Sequence, residues 1–343
     1  MTYILPIGNL NRLYMPFPVP YIAILDIGHG NCSVIRDNDQ TVIIDCGERG
    51  SGLLEFLEQE NITEIHQLFI SHADQDHIGG LLGLVSSGKF IIKNISVNSD
   101  ASKGSGIWED LTYELSMQNE AGLTKFEIGI SRKADKIKCG SIEIAISGPT
   151  PYLAAKGVGG KDRQGRTINS NSLSASFHVI WKGENLAYLA GDIDQIALDD
   201  LTDHRANLSA NLLVFPHHGG KAGVFDVQAF TQMLCGQVNP STVIFSIGRN
   251  KFDNPRPEIV ETVRKSLKNV RISCTQLSVN CAKKITSYDQ SHLGPLFARG
   301  RDVNDCCGGT FIITLGEKVE YIPDQGLHNR YIGVAAIKPM CLI

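Results

Sequence analysis

Four side chains able to hold a metal ion fall within the run His72-Ala73-Asp74-Gln75-Asp76-His77. Two are imidazoles and two are carboxylates, and no thiolate stands among them. That donor set suits zinc, manganese or iron at a hydrolytic centre. Neutral imidazoles hold the ions, whereas carboxylates lower the charge of the site and can bridge two ions. Such a run needs support on both sides. Leu68-Phe69-Ile70 before it reads as a buried strand, and Ile78 to Val85 after it is amphipathic with helical spacing. A strand-to-helix loop can aim all four groups at one point, and Gly79-Gly80 lets other backbone come close.

The run resembles the HxHxDH signature of the metallo-β-lactamase superfamily, with Asp74 where the second histidine usually stands. From about Tyr21 to about Leu267 the chain is similar in particular to the soluble hydrolase domain of ComEC-type competence proteins. Other motifs carry the resemblance in the expected order. Asp26, Gly28 and Gly30 form a DxGxG turn after an apolar run, and Asp45 ends a later strand. Asn169 to Leu173 precede a strand pair that ends in Gly191-Asp192. Pro216-His217-His218-Gly219 follows another short apolar run. Gly248 to Pro255 is similar to Gly-x-Asn-x-Tyr-x-His-Pro, with Phe252 for tyrosine and Asn254 for histidine.

The resemblance implies an α/β fold, a four-layer αββα sandwich with a C-terminal extension. It also implies two divalent ions, zinc or manganese. Asp74 in place of an imidazole adds charge and hardens the site, which shifts preference toward manganese or magnesium. Asp192, leaving the end of a buried strand, is placed to bridge the ions. The first ion is then held by His72, Asp74 and Asp192, and the second by Asp76, His77, His217 and Asp192. Asp76 and Asp192 become the catalytic carboxylates. Asp45 is assigned to orienting a ligand histidine, Asn171 to hydrogen bonding, and His218 to supporting the site or touching substrate. His29, in a glycine turn, either faces the metals or lies on the surface. Arg249, Lys251 and Arg256 form a cationic cluster suited to an anionic substrate, beside Asn254.

The expected activity is a two-metal phosphodiesterase or nuclease acting on nucleic acid or another phosphodiester. The alternatives are a small-molecule ester, thioester or lactone hydrolase of the same fold, and a non-catalytic binding or regulatory subunit. Asp74 and Asn254 keep the last of these open.

The supporting elements read as follows. Residues 1–20 form an extended lead-in, 21–269 the hydrolase domain, and 270–343 an extension packed on the same domain. Strands are expected at Cys32 to Arg36, Thr41 to Asp45, Phe90 to Val97, Phe126 to Ile130 and Ile137 to Ile146. Phe177 to Trp181 with Leu186 to Ala190, Leu212 to Phe215 and Thr242 to Ile247 add more. Val270 to Cys274, Phe311 to Leu315 and Val319 to Ile322 are further candidates. Leu53 to Glu60, Ile107 to Ala121, Ile193 to Leu201, Asp226 to Cys235 and Pro257 to Lys268 have helical spacing. Trp108, Leu111, Leu115 and Met117 fall on one face as core residues. The glycine-rich loop from Lys156 to Thr167 carries Lys156, Lys161, Arg163 and Arg166. It is either a lid for phosphates or a solvated loop.

Composition narrows the partners. The net charge is −4, so a nucleic-acid partner needs a local basic patch. No run approaches the ~18 apolar residues of a membrane span, and no signal peptide is evident. Nine cysteines at irregular spacing point to free thiols in a reducing, cytoplasmic setting. Cys274, Cys281, Cys306 and His292 are either buried groups or ligands of a structural zinc.

Overall fold

A computed structural model describes residues 16–342, apart from 51, 99, 101, 224, 225, 250, 286 and 287. Most of the expected lead-in therefore lies outside the described residues. The first half builds β1 (Tyr21–Ile24), β2 (Ser33–Asp37), β3 (Gln40–Ile44), α1 (Leu53–Gln59), β4 (Glu64–Ile65) and β5 (Gln67–Ile70). These are followed by α2 (Gln75–Ser86), β6 (Ile91–Ile92), β7 (Asn94–Val97), α3 (Gly106–Glu120) and β8 (Lys125–Ile128). The second half builds β9 (Ile137–Cys139), β10 (Ile142–Gly148), α4 (Pro151–Lys156), β11 (Ser176–Trp181), β12 (Glu184–Leu189) and α5 (Gln195–Asp203). Then come β13 (Leu212–Val214), α6 (Val227–Val238), β14 (Thr242–Phe245), α7 (Pro257–Ser266) and β15 (Arg271–Cys274). β16 (Phe311–Leu315), β17 (Val319–Ile322) and α8 (Gln325–Ala335) close the chain.

The strands form two large sheets. One runs β17-β16-β1-β2-β3-β5-β7-β8 and the other β15-β14-β13-β12-β11-β10-β9. Each is antiparallel on one side and parallel on the other. Continuous apolar runs supply strands buried on both faces, and the two-residue alternation divides them. Ile22, Ile24, Val42, Ile44 and Phe69 face the second sheet, where they meet Ile144, Phe177, Val179, Leu212, Val214 and Ile244. Tyr21, Ala23, Ile43, Leu68 and Ile70 point the other way, against α1, α2 and α3. Tyr188, Leu213, Phe215, Val243 and Phe245 pack under α5, α6, α7 and α8. The result is the four-layer αββα sandwich.

Several local expectations change. Ile137 to Ile146 is two strands, because Gly140 and Ser141 turn the chain there. On α3, Trp108, Leu111 and Leu115 are buried, but Met117 is 47% exposed. Position 117 lies six residues beyond 111, off the apolar stripe. Residues 270–343 add β15 to one sheet and insert β16 between β17 and β1 in the other. Helix α8, which the sequence reading lacked, buries His328, Tyr331, Ile332 and Ala335.

Four of the loops that carry candidate site residues leave strands in the parallel parts of the sheets. Asp45 follows β3, His72 follows β5, Asp192 follows β12, and His217 follows β13. These carboxyl ends meet along one edge, where parallel strands leave a crevice. Phe177 is fully buried between the sheets, with its ring 5.0 Å from Phe69. Phe177→Ala should lower unfolding stability by about 3–5 kcal/mol in urea titration. A loss below about 1 kcal/mol would show that this layer is not tightly packed.

Candidate metal centre

Two groups of ligand atoms form in the crevice, each lying within 4.8 Å of one another. One comprises His72, His77 and Asp192, and the other His29, Asp76 and His218. Asp192 links them: its carboxylate lies 3.5 Å from His77 Nε2 and 3.7 Å from His218 Nε2. These are the groups among the described residues that could hold a metal ion.

Each imidazole is aimed by what its other nitrogen touches. His77 Nδ1 donates to Asp45 Oδ2 at 2.8 Å. Asp45 also accepts from the Ser71 backbone at 2.7 Å and its hydroxyl at 2.9 Å. The Ser71 hydroxyl stands 3.1 Å from Nδ1 of both His72 and His77. One serine thus ties the acid after β3 to two histidines of the ligand loop. His218 Nδ1 donates to the Ser246 carbonyl at 2.8 Å, beyond β14. The Nε2 atoms of His72, His77, His217 and His218 are buried without a hydrogen-bond partner. Buried polar atoms are rarely left so, and nitrogen lone pairs facing carboxylates fit a bound cation.

The Pro216-His217-His218-Gly219 turn is tightly wound. His217 and His218 take positive φ of 51° and 55°, a region that side-chain-bearing residues seldom enter. The His217 backbone donates to Asp192 Oδ1 at 3.0 Å, and its Nδ1 lies 3.4 Å from Asp192 Oδ2. His218 Nε2 comes within 3.1 Å of Asp76 Oδ2. Both histidines therefore reach the carboxylates.

Charges hold one another in place. Burial would protonate Asp192, but His218, His217 and His77 keep its carboxyl well below the usual range. Asp76 is likewise opposed by burial, yet His218 and His77 hold it low. Burial disfavours charge on His77, and Asp45 with Asp192 outweighs it, raising its pKa well above the ordinary value. His29 differs: burial and the neighbouring His218 push it down to about 3.

The partition of ligands departs from the sequence expectation. His77 groups with His72, not with Asp76. His218, assigned a supporting role, has the Nε2 atom nearest to Asp76. Asp74 joins neither group; it pairs with Lys103, and its Oδ2 lies 3.6 Å from His72 Nε2. That cation and His72 keep its carboxyl low against the effect of burial. Asp194 caps α5 through the Ala197 backbone, which leaves Asp192 to the cleft.

The outer residues also sort differently. Arg249 does not face the cleft, because its guanidinium donates to the Leu277 and Ala282 carbonyls at 2.5 and 2.7 Å. It sits 3.6 Å from Asp305, with its side chain only 5% exposed. Lys251 pairs with Glu48. Asn254 is buried and its amide reaches the His217 carbonyl at 3.4 Å. Asn171 is half-buried with its amide oxygen unpartnered. In the 156–167 loop, Arg166 is held by Asp162 and Asp199, and Arg163 lies over the Tyr152 ring. The loop stays out of the cleft lining. Lys221 and Arg256 line it instead, with Phe252, in a volume of about 360 Å³. Lys221 and Ser71 had no sequence signal beyond adjacency to a histidine motif.

Cys274, Cys281, Cys306 and His292 form no group able to hold an ion among the described residues. Cys306 donates to Asp26 at 3.3 Å, the Met340 backbone donates to Cys281 at 3.5 Å, and His292 meets the Cys307 carbonyl.

The fold agrees with the comparisons. The Metallo-beta-lactamase superfamily model matches residues 25–204, and the chain belongs to that superfamily. It is 23% identical over 218 residues to ComE operon protein 3 of Bacillus subtilis (strain 168), covering 62% of this chain. It spans about a quarter of that relative's length, 24%. Among solved structures, YhfI from Bacillus subtilis aligns with TM-score 0.46 at 10% identity, over 75% of this chain and 97% of that one. Unliganded yeast PDE1 aligns with TM-score 0.44 at 13% identity, over 75% and 98%. The chain has the metallo-β-lactamase fold. Among the described residues, no helix is long and apolar enough to cross a membrane.

Asp45→Asn keeps the shape but removes the charge that orients His77. Metal affinity, measured by chelator competition, should fall about 10–100-fold. Unchanged affinity would remove Asp45 from the centre's support.

Proposed function

We propose that the protein is a two-metal phosphodiesterase, acting on nucleic acid or a smaller phosphodiester. The observation that carries this reading is the shared carboxylate: Asp192 stands between the two groups of ligand atoms. His72, His77 and Asp192 would hold one ion, with His217 at its border. Asp76 and His218 would hold the other, on the far side of Asp192. The donor set is mixed imidazole and carboxylate, which suits zinc or manganese. When bound, such ions supply Lewis acidity and a water acidic enough to attack near neutral pH.

The protein's own groups set the geometry. Asp45 and Ser71 fix the orientation of His77 and His72, and the Ser246 carbonyl fixes His218. Asp192 and Asp76 remain ionised, so each offers full charge to a cation. Lys221 and Arg256 stand at the cleft wall and attract an anionic substrate. Asn254 offers an amide, which cannot give up a proton, so the leaving oxygen would take its proton from water or another side chain of the cleft. A cleft with two cations on its wall favours a phosphodiester over a neutral lactone or ester. Free thiols such as Cys139, Cys235 and Cys274 fit a reducing, cytoplasmic setting.

Turnover should be measured on single-stranded DNA, double-stranded DNA and a small cyclic phosphodiester, with added Zn²⁺ or Mn²⁺. Asp76→Ala and Asp192→Ala should each lower kcat/KM at least about 100-fold. Activity that survives both substitutions would reject the assignment. Turnover of esters or lactones alone would move the protein to the small-molecule class. A purified chain that binds no transition metal after reloading would favour a non-catalytic role.

A further inference from the structure

We infer that His29 is a direct ligand of the ion held by Asp76 and His218. The chain would thus carry a metal-binding imidazole outside both histidine motifs. The inference rests on the two-ion reading above.

Residue 29 lies in the turn between β1 and β2, far in sequence from the ligand loop. Its side chain is only 4% exposed. Nε2 stands 3.4 Å from Asp76 Oδ2, and the ring centroid is 4.4 Å from that of His218. Donor atoms of the three residues all lie within 4.8 Å of one another. Nδ1 is buried and unpartnered. A surface histidine in a loose turn would show none of these features.

The backbone around it is clamped on two sides. Gly30 adopts φ +119°, and a Cβ there would stand 2.2 Å from the Asp76 carbonyl oxygen. The Ser246 hydroxyl donates to the Gly30 carbonyl at 2.7 Å. Gly248 presses from the other side, since a Cβ on it would lie 2.4 Å from the His29 nitrogen. The turn therefore fits only with glycine at these contacts. The same Ser246 binds Gly30 through its hydroxyl and His218 through its carbonyl. One residue beyond β14 thereby holds both the backbone of the His29 turn and the imidazole of His218.

The resulting set is His29, His218, Asp76 and the shared Asp192, two nitrogens and two carboxylates. Four such donors complete a tetrahedral shell for zinc. Without His29, this ion would have a single imidazole beside two carboxylates. The competing arrangement is that His29 donates a hydrogen bond to Asp76 and only positions it.

Two substitutions in the full chain separate these cases. His29→Ala removes the imidazole, whereas His29→Gln retains an amide donor for Asp76 but cannot replace the ligand. The protein is loaded with Zn²⁺ or Co²⁺, dialysed, and its metal counted. X-ray absorption then counts imidazoles per ion, and circular dichroism checks folding. The expected result is that both variants keep one tightly held ion. The other should be weakened at least about 100-fold, with one imidazole fewer and a changed Co²⁺ visible spectrum. His29→Gln behaving as wild type, with only His29→Ala impaired, would overturn ligation in favour of positioning. Two ions retained with an unchanged spectrum in both variants would overturn it outright while leaving the two-ion reading intact. Fewer than two ions in the wild-type protein would overturn both.

Discussion

The centre depends on a carboxylate kept charged inside the protein. Asp192 is almost fully buried, and water cannot stabilise its charge there. His77, His217 and His218 supply the compensation at 3.4 to 3.7 Å. Those imidazoles come from both sheets, His77 after β5 and the other two after β13. The electrostatic demand of one side chain thus ties the two halves of the sandwich at one edge. A bound cation would take over that compensation, with the imidazoles neutral and their Nε2 lone pairs directed at it.

Around that core the support is hydrogen-bonded and local. Asp45, Ser71 and Ser246 each serve two partners, so the imidazoles do not hold their directions alone. The cationic residues divide by where they face. Arg249 and Arg166 lie near carboxylates away from the cleft, while Lys221 and Arg256 line it, Arg256 also standing 3.3 Å from Glu258. Sequence position did not separate these groups; the direction each side chain takes did.

Much of the sandwich was legible because its strands are apolar runs whose alternation divides cleanly between two layers, as at Ile22 and Ala23 or Val214 and Phe215. The ligand run was legible because four donors in one short loop are rare. The grouping of donors was not legible. Loop spacing cannot say that His77 turns toward His72, or that Lys103 meets Asp74, because both depend on contacts between distant segments. His29 was visible as a residue but undecided as a role, since a glycine turn has no preferred side. Helix α8 had too weak an apolar periodicity to stand out, and its burial comes from the layer it covers. Arg249 looked like a substrate contact because its carbonyl partners, Leu277 and Ala282, lie on a later segment.

The placement of β16 bears on how the molecule is made. Ile22 and Ile24 on β1 pair with Ile313 and Phe311, almost three hundred residues downstream. During synthesis on the ribosome, the outer flank of β1 stays unpaired until residues 311–314 have emerged. An unpaired apolar edge is adhesive toward other nascent chains. The sandwich is therefore fastened by its last strands, and a ribosome stalled before residue 311 leaves behind a product with an open flank.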